Sequence, residues 1–220
     1  MLVRALLFDF DGLIVDTESP ALASWRELYA EHGHELTLER WSAAVGTIDG
    51  FDPVGYLRTL AGDVDLDEAL ARRTARELEL VEVEQLRPGV LGYLEEARRR
   101  GLATAIVSSG SRPWIDRHLA RLERAEHFDE IVTADGDAAR AKPLPVLYLD
   151  ALDRLGLAPG EAIAFEDSPN GLRAAKAAGL FCVAVPNSVT ASLGLDEADV
   201  VVPSLAELPF ARLLDLAARG

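Results

Sequence analysis

Two aspartates, Asp9 and Asp11, end an apolar run in the segment LLFDFDGLIVDTE, residues 6–18. They are two positions apart, so both side chains point to the same side of an extended strand end. Glu166 and Asp167 end a second apolar run, EAIAFED. Carboxylates are costly to bury, so a group of four at one edge of a sheet requires a cation. Oxygen ligands without nearby His or Cys favour Mg²⁺, and Asp9 and Asp167 suit that ion.

Hydroxyl and basic groups follow two other apolar runs. Ser109 and Gly110 come at the end of one run, and Lys142 comes after the next. Ser109 offers a hydroxyl, Gly110 lets a backbone N–H approach an anion closely, and Lys142 is a compact positive charge. Together with Mg²⁺, these groups form a cradle for a phosphate group.

Two acids at this spacing suit phosphoryl transfer. An aspartate carboxylate is ionised at neutral pH, so Asp9 can attack phosphorus without help from a base and form an aspartyl-phosphate. Asp11 can donate a proton to the leaving alkoxide and later accept one from the attacking water, provided that burial raises its pKa. The residues therefore predict Asp9 as the nucleophile and Asp11 as the general acid and base.

Short apolar runs alternate with helical patterns along most of the chain. Because the runs are continuous rather than alternating, we expect strands that are covered on both faces. This order predicts an α/β fold with a doubly wound, Rossmann-like parallel sheet that binds ligands at the carboxyl ends of its strands. The predicted strands cover residues 4–10, 102–109, 129–135, 161–167, 180–186 and 198–204.

One region breaks the alternation, because residues 20–86 show helical periodicity alone. This pattern predicts an all-helical cap, residues 16–87, inserted after the first strand of a catalytic core of residues 1–15 and 88–220. A module tethered beside the ligand-binding edge of a sheet is expected to act as a lid.

Composition narrows the classes of partner. The chain has 220 residues, 49% of them hydrophobic and 27% charged, and a formal net charge of −15. A field this negative disfavours nucleic acid and anionic membranes. The phosphate cradle makes a small phosphomonoester the expected partner. No stretch approaches the ~18 apolar residues of a membrane helix, and the single cysteine, Cys182, permits no intramolecular disulfide. We expect a cytoplasmic protein that is a monomer or a weak dimer.

Four motifs in combination resemble the haloacid dehalogenase superfamily of phosphotransferases, in its β-phosphoglucomutase-like branch with a helical cap. They are DFDGLIVDTE at residues 9–18, SSG at 108–110, KPLP at 142–145 and EDSPNG at 166–171. The resemblance spans essentially the whole chain. It implies that Asp9 is the nucleophile and Asp11 the general acid and base.

The same resemblance implies two sets of ligands. One set holds Mg²⁺ and comprises Asp9, the backbone carbonyl of Asp11, Asp167 and, directly or through water, Glu166. The other set holds the phosphate group and comprises Ser109, Gly110 and Lys142.

Within the superfamily, the residues favour a phosphatase. Dehalogenases resemble the first motif but lack an acid at the position of Asp11, because a halide leaving group needs no proton. Phosphonate-cleaving relatives need a cap lysine, and no lysine precedes Lys142. Sugar-phosphate mutases carry a histidine where this chain has Ala21, and residues 45–57 offer no arginine to a second phosphate. A mutase of the β-phosphoglucomutase type and a non-catalytic phosphate-binding protein stay as alternatives.

Substrate specificity is expected to come from the cap. The candidate contacts lie in one short stretch: Thr47, Ile48, Asp49, Phe51 and Asp52. Two of these residues are acidic and would disfavour a second phosphate. We therefore expect a phosphorylated sugar or sugar alcohol.

Overall fold

The computed structural model describes residues 2–42, 45, 51–62 and 65–219. Its strands are β1 (Ala5–Phe8), β2 (Ala103–Ser108), β3 (Glu130–Thr133), β4 (Ala162–Glu166), β5 (Phe181–Ala184) and β6 (Val200–Val201). They form one parallel sheet in the order β3-β2-β1-β4-β5-β6. Each strand lies within one of the predicted apolar runs, so the predicted α/β fold with a parallel sheet is confirmed.

Helices connect these strands and cover both faces of the sheet. They are α1 (Glu18–Glu31), α2 (Leu38–Trp41), α3 (Pro53–Ala61), α4 (Asp67–Glu82), α5 (Val90–Arg100), α6 (Arg112–Leu122), α7 (Val146–Leu155), α8 (Pro169–Ala177) and α9 (Phe210–Ala217). Side chains of α7 and α8 share one hydrophobic cluster with the sheet. Side chains of α5, α6 and α9 share another cluster with it, so the sheet is doubly wound.

Strand β1 shows why its sequence is an unbroken apolar run. Leu7 contributes to the cluster on the α7 side, whereas Leu6 and Phe8 contribute to the cluster on the α5 side. All three side chains are fully buried. Burial of each one stabilises the fold by roughly 1.5–3 kcal/mol. The sheet thus holds the end of β1, and Asp9 after it, in a fixed place.

Helices α1 to α4 occupy the segment predicted to be the cap. They share a hydrophobic cluster that includes Trp25, Tyr29 and Leu57. The two ends of the segment meet, because Val15 forms an antiparallel bridge with Leu86. The boundaries of the cap at residues 16 and 87 stay a prediction.

Cys182 and the hydropathy of the helices can be compared with the sequence predictions. Cys182 is fully buried within the cluster on the α7 side, as a small hydrophobic side chain would be. Among the described residues, no helix combines the length and the hydropathy that a membrane crossing requires.

Candidate active site

Several predicted site residues, together with Ser108, which was not among the predicted residues, lie at the carboxyl ends of three adjacent strands. Asp9 follows β1, Ser108 ends β2, and Glu166 ends β4 with Asp167 next to it. Strand β1 has β2 on one side and β4 on the other, so the winding of the sheet changes direction here. Open parallel sheets bind ligands at such a switch point.

Lys142 is the cation of this edge and is nearly inaccessible to solvent. Its Nζ donates to Asp9 Oδ1 at 2.6 Å and lies 2.7 Å from Glu166 Oε1. The Lys142 side chain is only 2% exposed. Burial alone would lower the pKa of Lys142, but the two carboxylates raise it above the ordinary value for lysine. Lys142 therefore stays charged and offsets part of the negative charge at this edge.

The carboxylates of Asp9, Glu166 and Asp167 form a buried group that fits a divalent cation. One oxygen of each lies within 4.8 Å of the oxygens of the other two. Burial and the charge of Asp9 raise the pKa of Asp167 well above its ordinary value. Lys142 supplies one positive charge against three carboxylates, so negative charge is left over. Hard oxygen donors with excess negative charge are the donor set that Mg²⁺ prefers.

Glu166 is enclosed by protein on all sides. Its Oε1 accepts a hydrogen bond from the hydroxyl of Tyr148 at 2.5 Å. A Cβ atom at Gly171 would lie 1.7 Å from Glu166 Oε2, so a glycine is required at the start of α8. Oε2 itself is buried without a hydrogen-bond partner among the described residues. An orphaned carboxylate oxygen in this position fits a metal ion or a metal-bound water.

The carboxylate of Asp11 points to different partners from that of Asp9. Asp11 Oδ1 accepts from Thr17 Oγ1 at 3.0 Å and from Trp114 Nε1 at 2.8 Å. Burial and the charge of Asp9 raise the pKa of Asp11 to about 6, although the bonds from Trp114 and Thr17 oppose the increase. A carboxyl group with this pKa exchanges protons readily near neutral pH. The carboxylate of Asp11 is not part of the group of three.

The two serines at the end of β2 have different contacts: Ser108 lies near Asp11, whereas Ser109 contacts the backbone of Lys142. Ser108 Oγ lies 3.4 Å from Asp11 Oδ2 and accepts the N–H of Gly110 at 2.9 Å. Ser109 Oγ instead accepts the backbone N–H of Lys142 at 3.1 Å. The N–H of Gly110, which we expect to bind phosphate, is therefore engaged with Ser108 in this structure. The assignment of Ser109 and Gly110 as phosphate ligands stays a prediction.

The predicted cap contacts are only partly visible. Thr47, Ile48 and Asp49 lie outside the described residues. Phe51 is half-buried and packs edge-on against Tyr56, with 5.6 Å between the ring centroids. The carboxylate of Asp52 caps α3 by accepting the N–H groups of residues 54 and 55. The local role of Asp52 is therefore structural, because its carboxylate binds the first N–H groups of α3.

Sequence reasoning missed several side chains that hold the site together. The indole of Trp114, which packs against the cluster on the α5 side, donates to Asp11. Tyr148 bonds to Glu166, and Asn187 bonds to Asp167 at 2.7 Å. Glu18 lies beside the aspartates, where burial and the charges of Asp11 and Asp9 raise its pKa to about 8. The contacts of Trp114, Tyr148 and Asn187 join residues 103, 18 and 20 positions apart, so no local pattern signals them.

A family model described as haloacid dehalogenase-like hydrolase matches residues 3–179 of the chain. Two relatives extend the match to almost the full length. The protein named "Putative phosphatase YhcW" from Bacillus subtilis (strain 168) is 42% identical over 215 residues, which are 97% of each chain. Hexitol phosphatase A from Escherichia coli (strain K12) is 34% identical over 213 residues, which are 94% of each chain.

A solved structure agrees with these matches. It is a crystal structure of a CbbY mutant from Rhodobacter sphaeroides in complex with xylulose-(1,5)bisphosphate. The two folds superpose with a TM-score of 0.77 at 29% sequence identity, and the match covers 96% of this chain and 99% of that chain.

Proposed function

Because this chain belongs to the haloacid dehalogenase-like hydrolases, we propose that it is a Mg²⁺-dependent phosphatase that acts through an aspartyl-phosphate on Asp9. One observation carries the proposal. Asp9 lies against the buried Lys142 ammonium and within a group of three carboxylates, while the carboxyl group of Asp11 is held apart by other partners. A nucleophile and an acid are thus separated at one strand end.

The first chemical step transfers the phosphoryl group to Asp9. An oxygen of the Asp9 carboxylate forms a bond to phosphorus while the bond from phosphorus to the ester oxygen breaks. Asp11, protonated, gives its proton to that ester oxygen, which leaves as an alcohol. The pKa of Asp11, raised to about 6 by burial, leaves a usable protonated fraction near neutral pH.

The second step restores the enzyme. Asp11, now ionised, accepts a proton from a water molecule as the water oxygen bonds to phosphorus. The bond between Asp9 and phosphorus breaks, and inorganic phosphate leaves. We expect phosphate oxygens to bind Lys142, which contacts Asp9, and the hydroxyl of Ser108, which lies near Asp11, together with Ser109 and Gly110, the contacts expected from the sequence.

Asp9, Asp167 and the backbone carbonyl of Asp11 would hold the Mg²⁺ ion, with Glu166 close by. When bound, the ion supplies positive charge that offsets repulsion between the phosphate group and the carboxylate nucleophile. Within the protein, Lys142 supplies positive charge of the same kind through its contacts with Asp9 and Glu166. These residues together allow an anion to bind to a chain with a net charge of −15.

The substrate class is proposed to be small phosphorylated sugars and polyols. The names of two similar proteins support this class: one is a hexitol phosphatase, and the other is CbbY in complex with a sugar bisphosphate. Oligomeric state as monomer or weak dimer and location in the cytoplasm stay predictions.

A phosphate-release screen tests the proposal. The purified protein is incubated with sugar phosphates, polyol phosphates and p-nitrophenyl phosphate, with Mg²⁺ and with excess chelator. We expect phosphate release only with Mg²⁺, and none from Asp9→Asn, whose fold is checked by thermal melting. Absence of release from every compound by a folded wild-type protein would contradict the proposal.

The same screen separates a phosphatase from a mutase. Ala21 stands where mutases of this branch carry a histidine, so water is expected to compete well for the aspartyl-phosphate. Phosphorus NMR of the reaction should show inorganic phosphate as the product. Interconversion of two sugar phosphate isomers without net phosphate would favour the mutase instead.

A further inference from the structure

Asn187 is a buried residue three positions after the end of β5, and both its amide nitrogen and its amide oxygen form hydrogen bonds. Its Nδ2 donates to Asp167 Oδ2 at 2.7 Å and to the carbonyl oxygen of Gly12 at 3.2 Å. Its Oδ1 accepts the backbone N–H groups of Val189 and Thr190 at 2.9 and 3.0 Å. Because two backbone donors face Oδ1, the amide has one orientation, with its NH₂ group toward the carboxylate.

The backbone at Gly12 is shaped to admit this contact. Gly12 has a φ angle of +78°, and a Cβ there would lie 2.3 Å from Asp167 Oδ2 and 2.6 Å from Asn187 Nδ2. The carbonyl of Gly12 also accepts from Arg87, which donates to the carbonyls of residues 185 and 186 as well. The strand end that carries Asp9 and the turn that carries Asn187 are therefore tied together.

The other end of this turn reaches the cap helices. Val189 is 2% exposed and belongs to the hydrophobic cluster of α1 to α4, although it lies between β5 and β6. Ser188 Oγ lies 2.8 Å from Ser19 Oγ, in helix α1. The turn of residues 187–190 thus contacts Asp167 at its first residue and the cap helices at the next two.

We propose that Asn187 is a positioning residue that fixes the Asp167 carboxylate in the orientation required for a divalent cation. The turn of residues 187–190 connects that orientation to the packing of the cap. The assignment rests on the proposed function, in which Asp167 is a metal ligand. Groups that orient a metal-binding side chain typically change metal affinity or activity by 10–100-fold when they are lost.

Two substitutions distinguish the contact of the Asn187 amide with Asp167 from the hydrogen bonds that hold the turn. Asn187→Ser removes the donor to Asp167, while its hydroxyl can still accept a backbone N–H within the turn. Thr190→Val is the matched control, because it removes the hydroxyl that accepts the backbone N–H of Asn187 at 2.9 Å but leaves the amide in place. Asn187→Leu, of similar volume, is a second variant at the same position.

The primary measurement is Mg²⁺ binding by isothermal titration calorimetry without substrate. We expect the dissociation constant to rise about 10-fold or more in Asn187→Ser and to change less than about twofold in Thr190→Val. With a good substrate, the Mg²⁺ concentration for half-maximal activity should rise likewise, and high Mg²⁺ should restore much of kcat. A merely structural defect would not respond to added Mg²⁺.

Each result decides the assignment. Wild-type Mg²⁺ affinity in a folded Asn187→Ser or Asn187→Leu protein overturns it, as does equal weakening in Thr190→Val. If the wild type hydrolyses no phosphomonoester yet Asn187→Ser still weakens Mg²⁺ binding, the proposed function fails and the positioning role stands. If the wild type hydrolyses a phosphomonoester but Asn187→Ser binds Mg²⁺ as tightly as the wild type, the proposed function stands and the positioning role fails.

Discussion

The ammonium group of Lys142 lies 2.6 Å from Oδ1 of Asp9, and the two side chains are only 2% and 9% exposed. Oε1 of Glu166 lies 2.7 Å from the same ammonium group. Charges interact more strongly here than in water, because little solvent screens them. One lysine therefore stabilises two carboxylates: Asp9 after β1, where we place the nucleophile, and Glu166 at the end of β4.

Removal of that lysine should destabilise the protein. Lys142→Met keeps the aliphatic stem and removes the charge, which leaves Asp9 and Glu166 buried without their cation. Loss of one partner of a buried ion pair costs about 3–5 kcal/mol of unfolding free energy. Urea unfolding at pH 7 measures this loss, and phosphatase activity should fall with it.

Lys176→Met provides the matched control for Lys142→Met. Lys176 also pairs with a carboxylate at 2.6 Å, that of Asp199, but the two side chains are 31% and 28% exposed. A solvent-screened pair contributes less than about 1 kcal/mol. Equal destabilisation by the two substitutions would show that burial of the Lys142 pair is not what matters.

Asp11→Asn should slow hydrolysis according to the leaving group. An alkyl alcohol needs a proton from Asp11, so its phosphate ester should lose about 10²–10⁴-fold in kcat. p-Nitrophenolate leaves without a proton, so p-nitrophenyl phosphate should lose much less in the first step. Steady-state and burst kinetics with both esters measure the difference.

Asp116→Asn is the control for Asp11→Asn, since Asp116 is exposed and pairs with Arg112 on α6. It should leave both rates unchanged. An equal loss of the first-step (burst) rate with the two esters in Asp11→Asn would argue against proton donation by Asp11, whereas the second step is common to both esters.

His118 should give the protein a specific sensitivity to acid. It is fully buried, and neither ring nitrogen has a hydrogen-bond partner among the described residues. Burial, with the charges of Arg121 and Arg117, lowers its pKa from 6.5 to about 4. Below pH 6.5, His118 therefore binds a proton in the unfolded chain. In the folded protein it does so only when the pH falls to about 4. The free energy of unfolding should fall by about 1–3 kcal/mol across that range from this group alone.

His118→Phe tests this sensitivity, because phenylalanine fills the ring volume beside Trp114 and cannot bind a proton. Unfolding curves from pH 7 to pH 4 should show a shallower loss of stability in the variant than in the wild type. Parallel curves for the two proteins would contradict the assignment of this pH dependence to His118.

The sheet and its polar edge were predictable from the sequence, since both follow from local signals. Uninterrupted apolar runs predict buried parallel strands, and Asp9 and Asp167 stand directly at the ends of two of them. The supporting contacts were not predictable, because they join residues far apart in the chain. Asn187 meets Gly12 across 175 positions, and Trp114 meets Asp11 across 103 positions.

The serine turn shows a finer limit of sequence reasoning. Ser108 and Ser109 are adjacent and chemically identical, so the choice between them depends on where β2 ends and how the turn leaves it. The structure places the Ser108 hydroxyl near Asp11 and the Ser109 hydroxyl on the backbone of Lys142. The sequence prediction names Ser109 as the phosphate ligand, and that assignment stays a prediction.

The central claim is that the phosphoryl group passes through Asp9. The direct measurement is rapid acid quench of the enzyme during turnover of a good substrate, followed by peptide mass spectrometry. We expect a phosphoryl group, or the product of its chemical trapping, on the peptide that carries Asp9, and none in Asp9→Asn. A phosphorylated residue elsewhere, or an unmodified Asp9 in an enzyme shown to accumulate a covalent intermediate, would contradict the account.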